Sequence, residues 1–182
     1  MTENGRRIQI TESFGISRRG FLHAGLVAGV SIALPFRAHG FERSKALGEA
    51  IEKSTLVYVT PLLSNGSESR CHAEVWFADD AGDLLVVTNP ERWRAAAISR
   101  GLKTARLWVG DYGLWKKSAE RYREAPGCVA QGRIESDPAV HARALEVFGK
   151  KYTAEWDKWG PRFKDGLASG DRVLIRYTPS AN

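Results

Sequence analysis

The residues able to do chemistry fall in three short stretches. In Cys71-His72-Ala73-Glu74-Val75-Trp76 an imidazole, a carboxylate and an indole alternate, and on an extended strand that spacing puts His72, Glu74 and Trp76 on one face. In Val87-Thr88-Asn89-Pro90-Glu91-Arg92-Trp93-Arg94 a hydroxyl and a carboxamide precede Pro90, and two guanidinium groups follow it. Asn before Pro is a helix-start signal, and a helix start offers unpaired N–H groups and partial positive charge, so with Arg92 and Arg94 it suits an anion such as phosphate. The same residues also satisfy a plain capped helix with two solvated arginines. The third stretch holds Asp111, Tyr112, Trp115, Lys116 and Lys117, a mixture suited either to contacts with a conjugated, anionic ligand or to a loop that packs its Trp on the domain.

Other chemistries find less support. Cys71 and His72 are adjacent, so a strand would point them to opposite faces, and zinc catalysis is not expected. His72 and His141 are of a residue type that can serve as an axial ligand to haem, and no spacing singles out either. Serine nucleophile elbow, phosphate-binding P-loop and dinucleotide fingerprint are all missing from the sequence. Cys71 and Cys128 are the only cysteines, and either a bridge or two separate thiols fits them.

These residues need elements to hold them. Thr55–Thr60 alternates as a first strand, Ser64-Asn65-Gly66-Ser67 reads as a hairpin turn, and Ser69–Ala78 as its partner. Asp79-Asp80-Ala81-Gly82 is a second turn and Asp83–Thr88 a third strand. A helix from Asn89-Pro90 to about Arg100, stopped by Gly101, leads to a fourth strand, Thr104–Val109, which carries Trp108. Cys128–Glu135 is a fifth strand, and Asp137-Pro138 opens a helix closed by Gly149. Lys151–Phe163 is a short helix interrupted at Gly160-Pro161, and Asp171–Thr178 a last strand. The order βββαββαβ, with short hairpins between sequential strands, predicts a mainly β domain with helices: a six-stranded antiparallel barrel over residues 55–182 behind a linker or short helix at 41–54.

Residues 1–40 have another character. Ser17-Arg18-Arg19-Gly20-Phe21-Leu22 precedes a weakly apolar run to Leu34, and Ala38-His39-Gly40 supplies small residues for a cut before Phe41. The hexapeptide resembles a twin-arginine export motif. That implies a signal peptide at 1–40, passage through the twin-arginine export machinery, and a periplasmic or secreted product; left uncleaved, the segment would act as a membrane anchor. The route carries folded proteins, commonly because a cofactor is loaded in the cytoplasm. Five arginines against two glutamates in these residues carry half of the net charge of +6, so the remainder of the chain lacks the clustered basic face of a nucleic-acid binder.

The order of elements, together with His72-Ala73-Glu74-Val75-Trp76-Phe77, Asp80-Ala81-Gly82-Asp83-Leu84, Val86-Val87-Thr88 and Arg94, resembles the flavin-binding split β-barrel family over about Thr55 to Tyr177. That family includes pyridoxamine phosphate oxidase-like proteins and deazaflavin-dependent reductases. The resemblance implies a homodimer with flavin mononucleotide at the subunit interface, deazaflavin or haem being the alternatives, and a small-molecule substrate. It places phosphate near Val87, Thr88, Asn89, Arg92 and Arg94, and the ring near His72, Trp76 and Trp108. The pyridoxamine phosphate oxidases proper are marked by an Arg near Cys71 together with a Lys near Trp76, and this chain has no Lys near Trp76, so their vitamin substrate is not implied. The resulting expectation is an exported oxidoreductase. The alternative is a binding protein of the same fold that holds haem, flavin or another ligand without turnover.

Overall fold

The computed structural model describes residues 43–180, and the leader expected at residues 1–40 lies outside them. Among the described residues no helix is long and apolar enough to cross a membrane. Seven strands are present: β1 (Leu56–Pro61), β2 (Ala73–Trp76), β3 (Ala78–Asp80), β4 (Asp83–Thr88), β5 (Thr104–Val109), β6 (Gly127–Glu135) and β7 (Val173–Ser180). With them come the helices α1 (Lys45–Lys53), α2 (Trp93–Ser99), α3 (Pro138–Lys151) and α4 (Trp156–Ser169), and two short 3-10 turns at Trp115–Lys117 and Arg121–Glu124.

All neighbouring strands are antiparallel, in the spatial order β2-β1-β5-β6-β7-β4-β3. The two edges of this sheet, β2 and β3, are separated in the chain by Phe77 alone. A single stretch therefore pairs with β1 on one side and with β4 on the other, which curls the sheet into a nearly closed barrel. The seventh strand is thus the expected second strand divided at Phe77, where the chain changes partners.

Period-two alternation distributes the apolar residues. Val57, Val59, Leu84, Val86, Leu107, Val109, Ile175 and Phe77 fill the barrel, joined by Leu47 and Ile51 of α1. The residues between them face outward: Leu85, Val87 and Leu174 pack beneath Phe148 of α3 and Phe163 of α4. Tyr58 and Trp108 pack beneath Tyr122 and Ala125 of the loop before β6. The hairpin from Asp80 to Asp83 has Ala81 at φ 53° and Gly82 at φ 102°. Both central residues in the left-handed region make the tight two-residue turn that follows strand twist.

Tyr152 holds the division of the second strand. Its hydroxyl accepts from the Phe77 N–H at 2.8 Å and lies 2.7 and 2.8 Å from the carbonyls of Phe77 and Thr55, while its ring stacks on Trp76 at 4.2 Å. Beside it the Lys151 ammonium sits 3.3 Å from the centre of the Phe77 ring and donates to the Ile51 carbonyl at 3.1 Å, fastening α1; burial pushes its pKa down to about 8. Removing only the hydroxyl, in Tyr152→Phe, is expected to lower stability by about 2 kcal/mol, because the buried Phe77 N–H loses its acceptor while the aromatic packing stays. Denaturant unfolding compared with wild type measures this.

Helices α3 and α4 differ from expectation at their glycines. Helix α3 runs through Gly149 to Lys151, and α4 is continuous through Gly160 and Pro161. Both glycines make room for one indole: a Cβ at Gly149 would lie 2.8 Å from Nε1 of Trp156, and one at Gly160 2.9 Å from its Cε2. They are packing glycines, where the sequence read as helix ends.

Candidate functional site

A cleft of about 560 Å³ opens between the segment entering β2 and the start of α2. Arg70, Arg92, Arg94 and Lys116 line it with positive charge, against Glu74 and Glu91. Among the described residues none of these four cations forms an ion pair with a carboxylate. Most of the other described arginines do: Arg106 and Arg123 pair with Glu68, and Arg143 and Arg176 with Asp80. Glu74 and Glu91 lie in the same cleft without bonding to these cations, and four positive groups outnumber them.

Arg94 is the most sheltered of the four. Its Nε donates to Thr88 Oγ1 at 2.9 Å, and burial pulls its pKa below the ordinary value, with Arg92 acting in the same direction. A guanidinium stays charged through such a shift. The bond to Thr88, which is 3% exposed, spends Nε and leaves the two terminal nitrogens for a ligand. Thr88 is the last residue of β4, so the strand end fixes the height of Arg94 in the cleft.

Helix α2 begins at Trp93 with Arg92 as its N-cap residue, three residues later than expected. Asn89 instead closes a turn, its Oδ1 accepting from the Glu91 N–H at 2.8 Å. Pro90 starts that turn rather than a helix, since a bonded Asn89 side chain competes with helical hydrogen bonding. Positive charge in the cleft therefore comes from side chains more than from a helix end.

The opposite wall is His72 and Trp115. His72 Nδ1 lies 2.7 Å from Thr60 Oγ1, and the ring meets Trp115 edge-on at 5.2 Å. Burial first, and Arg123 second, hold the imidazole below its usual pKa, against smaller opposing effects of Glu68 and Glu120. Glu74 accepts from the Trp115 backbone N–H at 3.1 Å and so seats the loop on β2. Cys71 is partly exposed in the cleft with its thiol pKa raised by burial, whereas Cys128 is buried in the barrel and pushed up to about 11. Both are free thiols, and the bridge considered from sequence is not formed.

The structure thus brings His72, Arg92 and Arg94 to one cleft, with Thr88 bonded behind Arg94 and Asn89 in the adjoining turn. It does not bring Trp76, Val87 or Trp108 to it. Trp76 and Val87 pack under α3 and α4, and Trp108, 7% exposed, lies under Tyr122 with the Arg123 guanidinium 5.1 Å from its ring. His72 and Trp76 do lie on the outer side of the barrel wall, but different elements cover the two ends of that face. From the loop, Trp115 and Lys116 reach the cleft, while Asp111 accepts from the Thr55 and Leu56 N–H groups at 2.9 and 3.1 Å and anchors β1. Sequence reasoning missed Arg70 and Trp93; the alternation Arg70, His72, Glu74 was the available signal for the first. A second, more apolar cleft of about 580 Å³, with Leu63 at its rim, shares Arg70, Cys71 and Trp93 with the first.

Solved structures share this architecture. A conserved hypothetical protein from Mycobacterium tuberculosis superposes with a TM-score of 0.54 at 14% identity over 80% of this chain and 85% of its own. The domain is a split β-barrel. A candidate 5-nitroimidazole antibiotic resistance protein from Bacteroides thetaiotaomicron matches the split barrel with a TM-score of 0.53 at 11% identity, over 77% of this chain and 81% of its own. Campylobacter jejuni ChuZ matches it with 0.53 at 11% identity, over 74% of this chain and 51% of its own. No family model matches the sequence, and no curated protein does.

Proposed function

We propose that this split barrel binds a phosphate-bearing flavin, flavin mononucleotide or a deazaflavin, and serves as an exported oxidoreductase for a small molecule. The observation that carries the reading is the set of cations in the cleft without carboxylate partners, with Arg94 half-buried among them. Four cations face two carboxylates there, a phosphate would offset the excess, and its oxygens accept the paired N–H groups of a guanidinium. The phosphate sits on Arg94 and Arg92, with Arg70 and Lys116 drawing it in, and His72 and Trp115 bound the space left for the ring. A bound flavin would supply the two-electron chemistry, so no protein nucleophile is needed. The cleft is open on one side, and a second copy of the chain closing it fits the homodimer implied by the family resemblance. Export through the twin-arginine route rests on Ser17-Arg18-Arg19-Gly20-Phe21-Leu22 and adds a reason for a cofactor loaded before transport.

The test is direct. Purified full-length protein titrated with flavin mononucleotide, and separately with a deazaflavin, should quench cofactor fluorescence with a saturable curve and show absorption at about 450 or 420 nm respectively after desalting. A protein that stays colourless and leaves both fluorescence signals unchanged would refute the reading. It would leave the binding-protein alternative, with another anionic ligand in the cleft.

A further inference from the structure

We infer that His72 presents a proton-bearing Nε2 to the cleft, locked in that form by Thr60, so that the group it meets is a hydrogen-bond acceptor on an organic ligand and not a metal centre. The inference deepens the proposed function, because it separates a flavin-like ligand from haem held through this histidine.

The argument begins with a buried hydroxyl. Thr60 is 0% exposed in β1, and among the described residues its hydroxyl has one hydrogen-bond partner, His72 Nδ1 at 2.7 Å. A hydroxyl has a single proton to donate, and a buried donor left without an acceptor carries a desolvation cost. Were Nδ1 to carry the ring proton, it would donate to Thr60 Oγ1 and the Thr60 proton would point at nothing. With Thr60 as donor, Nδ1 accepts, and the neutral ring must hold its proton on Nε2. Among the described residues Nε2 has no protein partner, and the ring lines the cleft. A doubly protonated imidazole meets the same conflict at Nδ1, and burial and Arg123 oppose it as well.

The consequence is chemical. A histidine that ligates a metal offers a lone pair from one nitrogen and usually donates an N–H from the other, which raises its basicity and fixes its ring. Here the inner nitrogen accepts, so the outer one offers a proton and no lone pair. That suits a carbonyl oxygen, a ring nitrogen or a phosphate oxygen beside the cationic cluster. An axial bond to haem iron would require the tautomer to invert and the Thr60 hydroxyl to lose its acceptor.

Nitrogen-15 NMR of the ligand-free, full-length protein reads the tautomer directly, with His72→Gln identifying the signal. The expected result is a preference for Nε2–H of at least about fivefold, the smallest cost of an unmade buried hydrogen bond expressed as a ratio. Thr60→Ser should keep that preference and Thr60→Val should erode it. A majority Nδ1–H form in the wild type, or an unchanged pattern in a folded Thr60→Val, would overturn the inference. Haemin added to the same protein should give no low-spin spectrum that depends on His72; a band abolished by His72→Gln would also overturn it. Conversely, if flavin mononucleotide fails to bind while the Nε2–H pattern is intact, the flavin reading alone falls and the tautomer assignment stands.

Discussion

Replacing Arg176 with Met is expected to lower stability by about 3 kcal/mol, the lower end of the cost of breaking a buried ion pair. Arg176 lies on β7 with its side chain 10% exposed, and binds three carboxylates at once: Asp80 at 3.0 Å, Asp83 at 3.2 Å and Glu135 at 2.7 Å. Asp80 and Glu135 are themselves only 6% and 14% exposed. Arg143 on Asp80 and Arg133 on Glu135 would remain after the substitution, but both are more than half exposed and screened by water. Met fills much of the space, so the loss is electrostatic rather than a cavity.

The acid limb provides a signature that packing alone would not. Burial by itself would raise the Asp80 carboxyl, but hydrogen bonds from Arg143 and Arg176 outweigh it and hold the group below the usual range; Glu135 is lowered likewise by Arg133 and Arg176. A carboxylate depressed in the folded state contributes stability above its unfolded pKa and loses it as pH falls through the folded value. Wild-type stability should therefore fall below about pH 4, and Arg176→Met should show a shallower fall. Denaturant midpoints at pH 7 and pH 3.5 measure both, and equal slopes in the two proteins would show that the cluster is not the source.

Arg94→Ala is expected to weaken binding of flavin mononucleotide by roughly thirtyfold, the equivalent of about 2 kcal/mol for a charge-assisted contact. Stability should change by less than about 1 kcal/mol, because the only hydrogen bond the side chain makes within the described residues is to Thr88. Arg94→Lys should recover only part of the affinity, since an ammonium lacks the planar pair of donors. Binding in both wild type and variant should weaken with added salt, more steeply in the wild type, which has one more charge for salt to screen. Fluorescence titration at two salt concentrations decides it. Affinity unchanged in Arg94→Ala would place the phosphate elsewhere.

Much of this fold was legible in the sequence because strand alternation and turn chemistry are local. Val57, Val59 and Leu84, Val86 lie on strands as read and share the inner face, and Asp83–Thr88 and Thr104–Val109 have the expected limits. The Ala81-Gly82 turn was found from its residue types, and the barrel architecture followed from hairpin order. Three features were not legible. Phe77 divides a strand because Tyr152, 75 residues away, bonds its backbone. Gly149 and Gly160 resemble helix ends but accommodate Trp156, and no local pattern distinguishes the two uses. Asn89-Pro90 resembles a helix start, whereas the Asn89 side chain takes the Glu91 N–H first.

The candidate site divides along the same line. The sequence alone determined that His72, Arg92 and Arg94 flank strands of an antiparallel barrel, since residue type, alternation and helix signals lie within a few positions of each. Only the tertiary structure decided that these three share a cleft with Arg70, Trp115 and Lys116, while Trp76, Val87 and Trp108 lie under helices and a loop. Alternation states which face of a strand a side chain occupies. It cannot state what covers that face, because the covering elements arrive from far along the chain through packing that leaves no local trace.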